Sequence, residues 1–189
     1  MQTNPAITST NTPRGQTYTM SKKAQQLAEE SVTRKKLLIS LSENQCFGDA
    51  IMLLSYAMPH QKGLQWALKC VRNSDQYSNN SNRETADTDK QKTLEFAEKW
   101  LNEPNEKNRA RILPSKVVAQ PSAATWLAMA AYWSGGSISD APIIESAPNE
   151  LVHDSIYSSV MLSVQEAEEK YRINAYSEAI NQGIKLLYS

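Results

Sequence analysis

Apolar residues along this chain recur at intervals of three and four. Ala50, Leu53, Leu54 and Ala57 fall at i, i+3, i+4 and i+7, the spacing of one helix face. Leu64, Ala67, Leu68 and Val71 repeat that spacing. Pro59 ends the first of these helices, because a proline disfavours helical backbone in the residue before it. The connection Pro59–Gly63 is short, which predicts that the two helices run back on one another as an antiparallel hairpin. Upstream, Ser21–Leu41 has helical composition, and the interval between Leu27 and Leu37 admits one bent helix or two short ones. Downstream, Leu94, Phe96, Ala97, Trp100 and Leu101 mark the buried side of a helix over 88–101. Pro104 stands where a first helical turn tolerates proline, and it opens a short helix that Pro114 stops. Val152, Ile156 and Val160 lie one turn apart, and Ile173, Ile180, Ile184 and Leu187 mark a final helix. Glu166–Lys170, between these two, is a polar helical stretch or a break.

Ala123–Trp133 departs from this alternation, since Thr125 is its one polar residue. Its alanines are strong helix formers, and a helix that is apolar all round is buried all round. At about 1.5 Å per residue it spans roughly 16 Å, too short to cross a membrane, so it is expected at the centre of the core. Gly135 and Gly136 then supply a left-handed C-terminal cap. Two segments lack apolar anchors. Residues 1–20 are rich in Thr, Asn, Gln, Ser and Pro, and residues 73–87 contain Asn79-Asn80-Ser81-Asn82. Neither buries enough surface to offset its ordering entropy, so the first reads as a disordered tail and the second as a mobile loop. The expectation is an all-α single domain over 21–189, with about seven helices in an irregular antiparallel helical-hairpin array. Ile112–Val118 carries some β-type residues, but Pro114 interrupts them.

Composition narrows the function more than the fold. Lys plus Arg is 20 and Asp plus Glu is 20, for a formal net charge of zero. A nucleic-acid or anionic-membrane binder needs a basic face, which here would have to be local. Lys22-Lys23 and Arg34-Lys35-Lys36 are short basic runs without interleaved aromatics, so no nucleic-acid partner is expected. No run of roughly 18 to 20 apolar residues occurs, and the first twenty residues cannot supply the apolar core of a signal peptide. The expectation is a cytoplasmic protein with no membrane insertion. Cys46 and Cys70 would be reduced there and pack as small apolar groups.

Candidate chemistry is sparse. Ser134-Gly135-Gly136-Ser137 suits an anion nest or an exposed nucleophile turn, but it follows a helix end, where its glycines serve as a cap. Cys46, His60, Cys70 and His153 show no close pair of metal-ligand spacing, so no metal is expected. Glu29 with Glu30 and Glu166 with Glu169 lie among Lys, Gln and Arg and read as solvated, unlike the split environments of a catalytic pair. No phosphate-loop or dinucleotide spacing occurs, so no cofactor and no catalytic residue is assigned. Of the tryptophans, Trp100, Trp126 and Trp133 lie in apolar stretches and read as core. Trp66 sits one position off the Leu64/Leu68 line and is the candidate partner contact. Arg109 and Arg111 are candidates to clamp an acidic partner or to cap a neighbouring helix.

Two stretches carry a resemblance. One is Asp49–Pro59 followed by Gln65-Trp66-Ala67-Leu68-Lys69-Cys70. The other is Trp126–Ser137, reading Trp-Leu-Ala-Met-Ala-Ala-Tyr-Trp-Ser-Gly-Gly-Ser, joined to the first by Trp100–Pro104 and Asn108-Arg109. Together they resemble a bacterial, all-helical family classed as a domain of unknown function, from Asp49 to the C-terminus. Trp126, Trp133, Ser134, Gly135 and Gly136 are its structural motif. Tyr132 replaces the more usual Phe, and Lys62-Gly63-Leu64 departs from a more acidic and apolar pattern. The resemblance implies a helical fold and, for some members, proximity to type VI secretion genes. It implies no activity. The expected function is a non-catalytic intracellular adaptor, accessory factor or chaperone that binds another protein. An immunity-type toxin binder and an enzyme with a site assembled from distant residues are the alternatives.

Overall fold

The computed structural model describes residues 19–77, 84–112, 121–136 and 146–189, with backbone alone for 84–89. Nine α-helices and no strand occur among them. They are α1 (Lys22–Glu30), α2 (Arg34–Glu43), α3 (Phe47–Ala57), α4 (His60–Asn73), α5 (Glu84–Asn102), α6 (Glu106–Arg109), α7 (Ala123–Trp133), α8 (Asn149–Gln165) and α9 (Arg172–Leu187). Single 3-10 turns, Ser74–Tyr77, Ala110–Ile112 and Glu169–Tyr171, extend α4, extend α6 and precede α9. The count exceeds seven partly because 21–41 divides. Thr33 accepts a hydrogen bond from the Lys36 amide and starts α2 afresh. Glu166–Lys170 is a break rather than a helix. Of the expected loop 73–87, residues 74–77 form a turn and helix resumes at Glu84, earlier than the apolar pattern indicates. The rest of that loop, 78–83, and the tail 1–18 lie outside the described residues.

The expected α3–α4 hairpin does not close. The connection is only Met58–Pro59, and both residues are extended. So brief and straight a link leaves the helices splayed. α3 packs on α2, α8 and α9, while α4 packs on α5, α7, α8 and α9. The centre of the molecule is therefore α8, which α3, α4, α7 and α9 all touch. α7 lies against α8, α5 and α4. Its alanines, Leu127 and Met129 are buried, while Trp126, Tyr132 and Trp133 are half-buried. Burial all round thus holds for most of the helix and fails along the Trp126–Trp133 edge.

Small residues bring α7 and α8 together. Ala123, Ala124, Ala128 and Ala131 are buried on α7, and Ser155, Ser159 and Ser163 are buried on α8. Each serine hydroxyl has a backbone acceptor. Ser159 Oγ donates across the interface to the Ala123 carbonyl at 2.8 Å, and Ser163 Oγ donates to its own helix at Val160. Buried hydroxyls with such partners cost little.

The start of α1 is tied in by a carboxylate. Ser21 caps α1 by accepting from the Ala24 amide, and its own N–H and hydroxyl both donate to Asp49, at 2.9 and 2.8 Å. Asp49 is buried, so these bonds compensate the loss of its hydration.

Candidate interaction site

Trp66 is not a surface residue. It is fully buried, and its indole Nε1 donates to the Ala179 carbonyl of α9 at 2.8 Å. The one-face reading of α4 fails because this helix is covered on two sides. Leu64, Ala67, Leu68 and Val71 are buried, and Trp66 and Cys70 are buried as well. Gly183 makes room for the indole, since a Cβ there would lie 3.0 Å from Trp66 Cε2 and 2.8 Å from Leu54 Cδ1. Trp66 is therefore a core residue and not the partner contact that its offset from the Leu64/Leu68 line suggests.

Arg109 and the Gly135–Gly136 end of α7 do come together. Asn105 starts α6 by accepting from the Asn108 amide, and Asn108 Nδ2 donates to the Glu103 carbonyl at 2.9 Å. That short turn sets Arg109 on a base of Glu106, whose carboxylate accepts from Nε at 2.8 Å and Nη2 at 2.6 Å. The guanidinium lies over the Tyr132 ring, 4.6 Å from its centroid. Gly136, at φ +72°, closes the other side. A Cβ there would lie 2.4 Å from Arg109 Nε. Gly135 meets the edge of Trp100, and Ser134 Oγ donates to the Ala131 carbonyl. The left-handed position expected of the cap falls on Gly136. Paired donation from Arg109 holds the Glu106 carboxyl below the usual carboxylate range, and the same pairing raises Arg109. Arg109 is buried, and its Nη1 has no hydrogen-bond partner. Arg111 is exposed on the following turn. Trp133 and Trp126 are half-buried on one face of α7, two turns apart. Ser137 lies outside the described residues.

A second grouping escapes the sequence. His60 and His153 meet edge to face with ring centroids 4.9 Å apart, and Tyr56 stacks on His153 at 4.9 Å. Neither histidine is simply solvated. His153 Nδ1 lies 2.8 Å from the Ser55 carbonyl, which only accepts, so Nδ1 carries the hydrogen and Nε2 keeps its lone pair. Tyr56 Oη donates to Asp154 at 2.7 Å. Tyr56 and Asp154 stand 98 positions apart in sequence, so no local spacing announces the group. Burial lowers both histidines; the neighbouring His153 lowers His60 further, while the Ser55 bond and the charges of Asp154 and Glu150 partly offset the shift of His153.

This lowering has a sign for stability. A histidine depressed in the folded state binds its proton more readily in the unfolded chain. Stability is therefore complete above the unfolded value of about 6.5 and is lost as pH falls below it. Urea denaturation is expected to give a lower midpoint at pH 5.5 than at pH 7.5. His60→Gln together with His153→Gln should reduce that difference. An unchanged difference would assign the acid sensitivity to other groups.

Cys46 and Cys70 are both buried and free, and burial pushes the Cys70 thiol up. No three His, Cys, Asp or Glu side chains gather as a metal site among the described residues. No helix among them is long and apolar enough to cross a membrane. Glu166 is not simply solvated. It accepts from Ser74 Oγ at 3.1 Å and pairs with Lys90 at 3.4 Å.

No curated protein and no solved structure matches the chain. The Trp66, Trp100, Asn108-Arg109 and Trp-Ser-Gly-Gly elements lie within 37–187, the residues matched by the model of a family of unknown function. The chain belongs to that family, DUF6931.

Proposed function

We propose that the chain is a non-catalytic, cytoplasmic accessory module that binds another protein through the α6–α7 end. The observation that carries this reading is exposed Arg111 and the half-buried Trp126–Trp133 edge, on a frame held by buried Arg109, which Glu106, Tyr132 and Gly136 clamp. Arginine and tryptophan dominate the energetic centres of protein interfaces, and a surface on a fixed frame loses little entropy on binding. The type VI secretion surroundings implied by the resemblance are the first place to seek the partner. An immunity-type toxin binder would use the same surface and differ only in what it holds.

The test is affinity capture of the full chain from its own cells, with thermal melting alongside. Arg111→Glu is expected to reduce a captured protein at least tenfold while melting within about 1 °C of the parent, because exposed substitutions are nearly neutral for stability. Identical captured sets from parent and variant would remove this surface from consideration. A second reading, an enzyme, is favoured by His153, whose Nδ1 is bound to the Ser55 carbonyl so that Nε2 carries the lone pair, beside His60. It requires a turnover that His153→Gln abolishes and Arg111→Glu does not.

A further inference from the structure

Between the end of α4 and the inner side of α9 lies a half-open cleft with about 20 Å³ of enclosed, water-sized space. Its walls bring Cys70 and Tyr77 opposite Glu178 and Gln182, with Ser163 of α8 alongside and Val164 and Ala179 as apolar lining. None of these residues belongs to the α6–α7 surface.

Most donors of the cleft are committed to Glu178 or to backbone, the Asn73 Nδ2 amide to Glu178 Oε1 at 3.5 Å among them. Tyr77 Oη donates to the Glu178 carboxylate. Gln182 Nε2 donates to Glu178 Oε1 at 2.9 Å. A carboxylate only accepts, so the orientation of the Gln182 amide is fixed by this bond, and Oε1 is the atom left over. That oxygen is buried and has no hydrogen-bond partner. The Ser163 hydroxyl hydrogen is committed to the Val160 carbonyl at 2.8 Å. Tyr77 and Ser163 have thus used their hydrogens, and their lone pairs remain. Charge points the same way. Lys90, outside the lining, is held by Asp75 at 2.6 Å and Glu166 at 3.4 Å, and Glu178 is the one charged residue among those that line the cleft. A buried acceptor without a donor is costly, and a charged donor satisfies it best where carboxylates outnumber cations.

We propose that this cleft binds a primary ammonium group. Its volume is far below the roughly 300–1,000 Å³ of pockets that enclose whole ligands, so it admits the ammonium alone and leaves the methylenes at the open mouth, beside Val164 and Ala179. The ammonium donates to Gln182 Oε1 and is balanced by Glu178. A free alkylamine and a lysine side chain of a partner present the same chemistry. A lone water would satisfy Gln182 equally, but it would be indifferent to the charge of Glu178.

The experiment is an amide NMR titration of the full chain with n-butylammonium chloride, against n-butanol in sodium chloride of equal ionic strength. Saturable shifts at Tyr77, Glu178 and Gln182 are expected with the ammonium and not with the alcohol. Glu178→Gln should weaken the binding about tenfold. Gln182→Leu, which removes the unpartnered oxygen, should weaken it similarly, and the dispersed spectrum of either variant reports that it is folded. Equal shifts with butanol, absence of saturable shifts in the parent, or ammonium binding unchanged in both variants would overturn the proposal. Stronger binding of Nα-acetyl-lysine amide than of n-butylammonium supports the site with a protein lysine as its source. The reverse order supports it with a free amine.

Discussion

Trp66→Ala is expected to destabilise the protein by about 3–5 kcal/mol, the cost of deleting a fully buried large aromatic. This is a large share of the 5–15 kcal/mol that holds a typical domain together. Trp66→Phe, which keeps most of the volume and loses the bond to Ala179, should cost about 1–2 kcal/mol. Gly183→Ala offers a check on the same contact. In the parent, the added methyl crowds Trp66 and Leu54 and should cost about 1–3 kcal/mol. In the Trp66→Ala background there is space for it, and the two substitutions should couple by about 0.5–3 kcal/mol. Urea denaturation of the four proteins measures the cycle. A Trp66→Ala variant as stable as the parent would return the side chain to the surface and restore it as a partner contact.

Gly136→Ala is the second large effect, about 2–3 kcal/mol. A side chain at φ +72° costs about 1–2 kcal/mol on its own. The rest comes from Arg109, which has no slack because Glu106 and Tyr132 fix it from two other directions. The same substitution should reduce partner capture through displacement of the fork. Melting and capture that both match the parent would show that the α7 end is not the rigid platform described above.

Helix type was legible because periodic apolar positions report one buried face. The failures occur where that assumption does not hold. α4 is buried on two faces, so Trp66, off the main stripe, was placed outside. On α8, the apolar stripe is Val152–Ile156–Val160, and the Ser155–Ser159–Ser163 row is core as well because each hydroxyl finds a carbonyl. Trp126 and Trp133 erred in the other direction, since an apolar composition does not say that one edge of a helix stays partly uncovered. Of the candidate site, Arg109 and the two glycines were legible as a motif. Their mutual contact was not, and neither was the meeting of His60 with His153, because both depend on how distant helices pack. The splayed α3–α4 pair has a more local cause: two extended residues replaced the turn that the proline pattern suggested.

The bond from Trp66 to Ala179 joins residues 113 positions apart. During synthesis at about 5–20 residues per second, the indole therefore precedes its cover by roughly 6 to 23 s. Lys62, which donates to the Leu186 carbonyl, waits longer still. Throughout that interval the second face of α4 has no helix to lie against. The growing chain presents Trp66 and Cys70 to whatever surrounds the ribosome, which makes the arrival of α9 the step that ends its exposure to aggregation and chaperones.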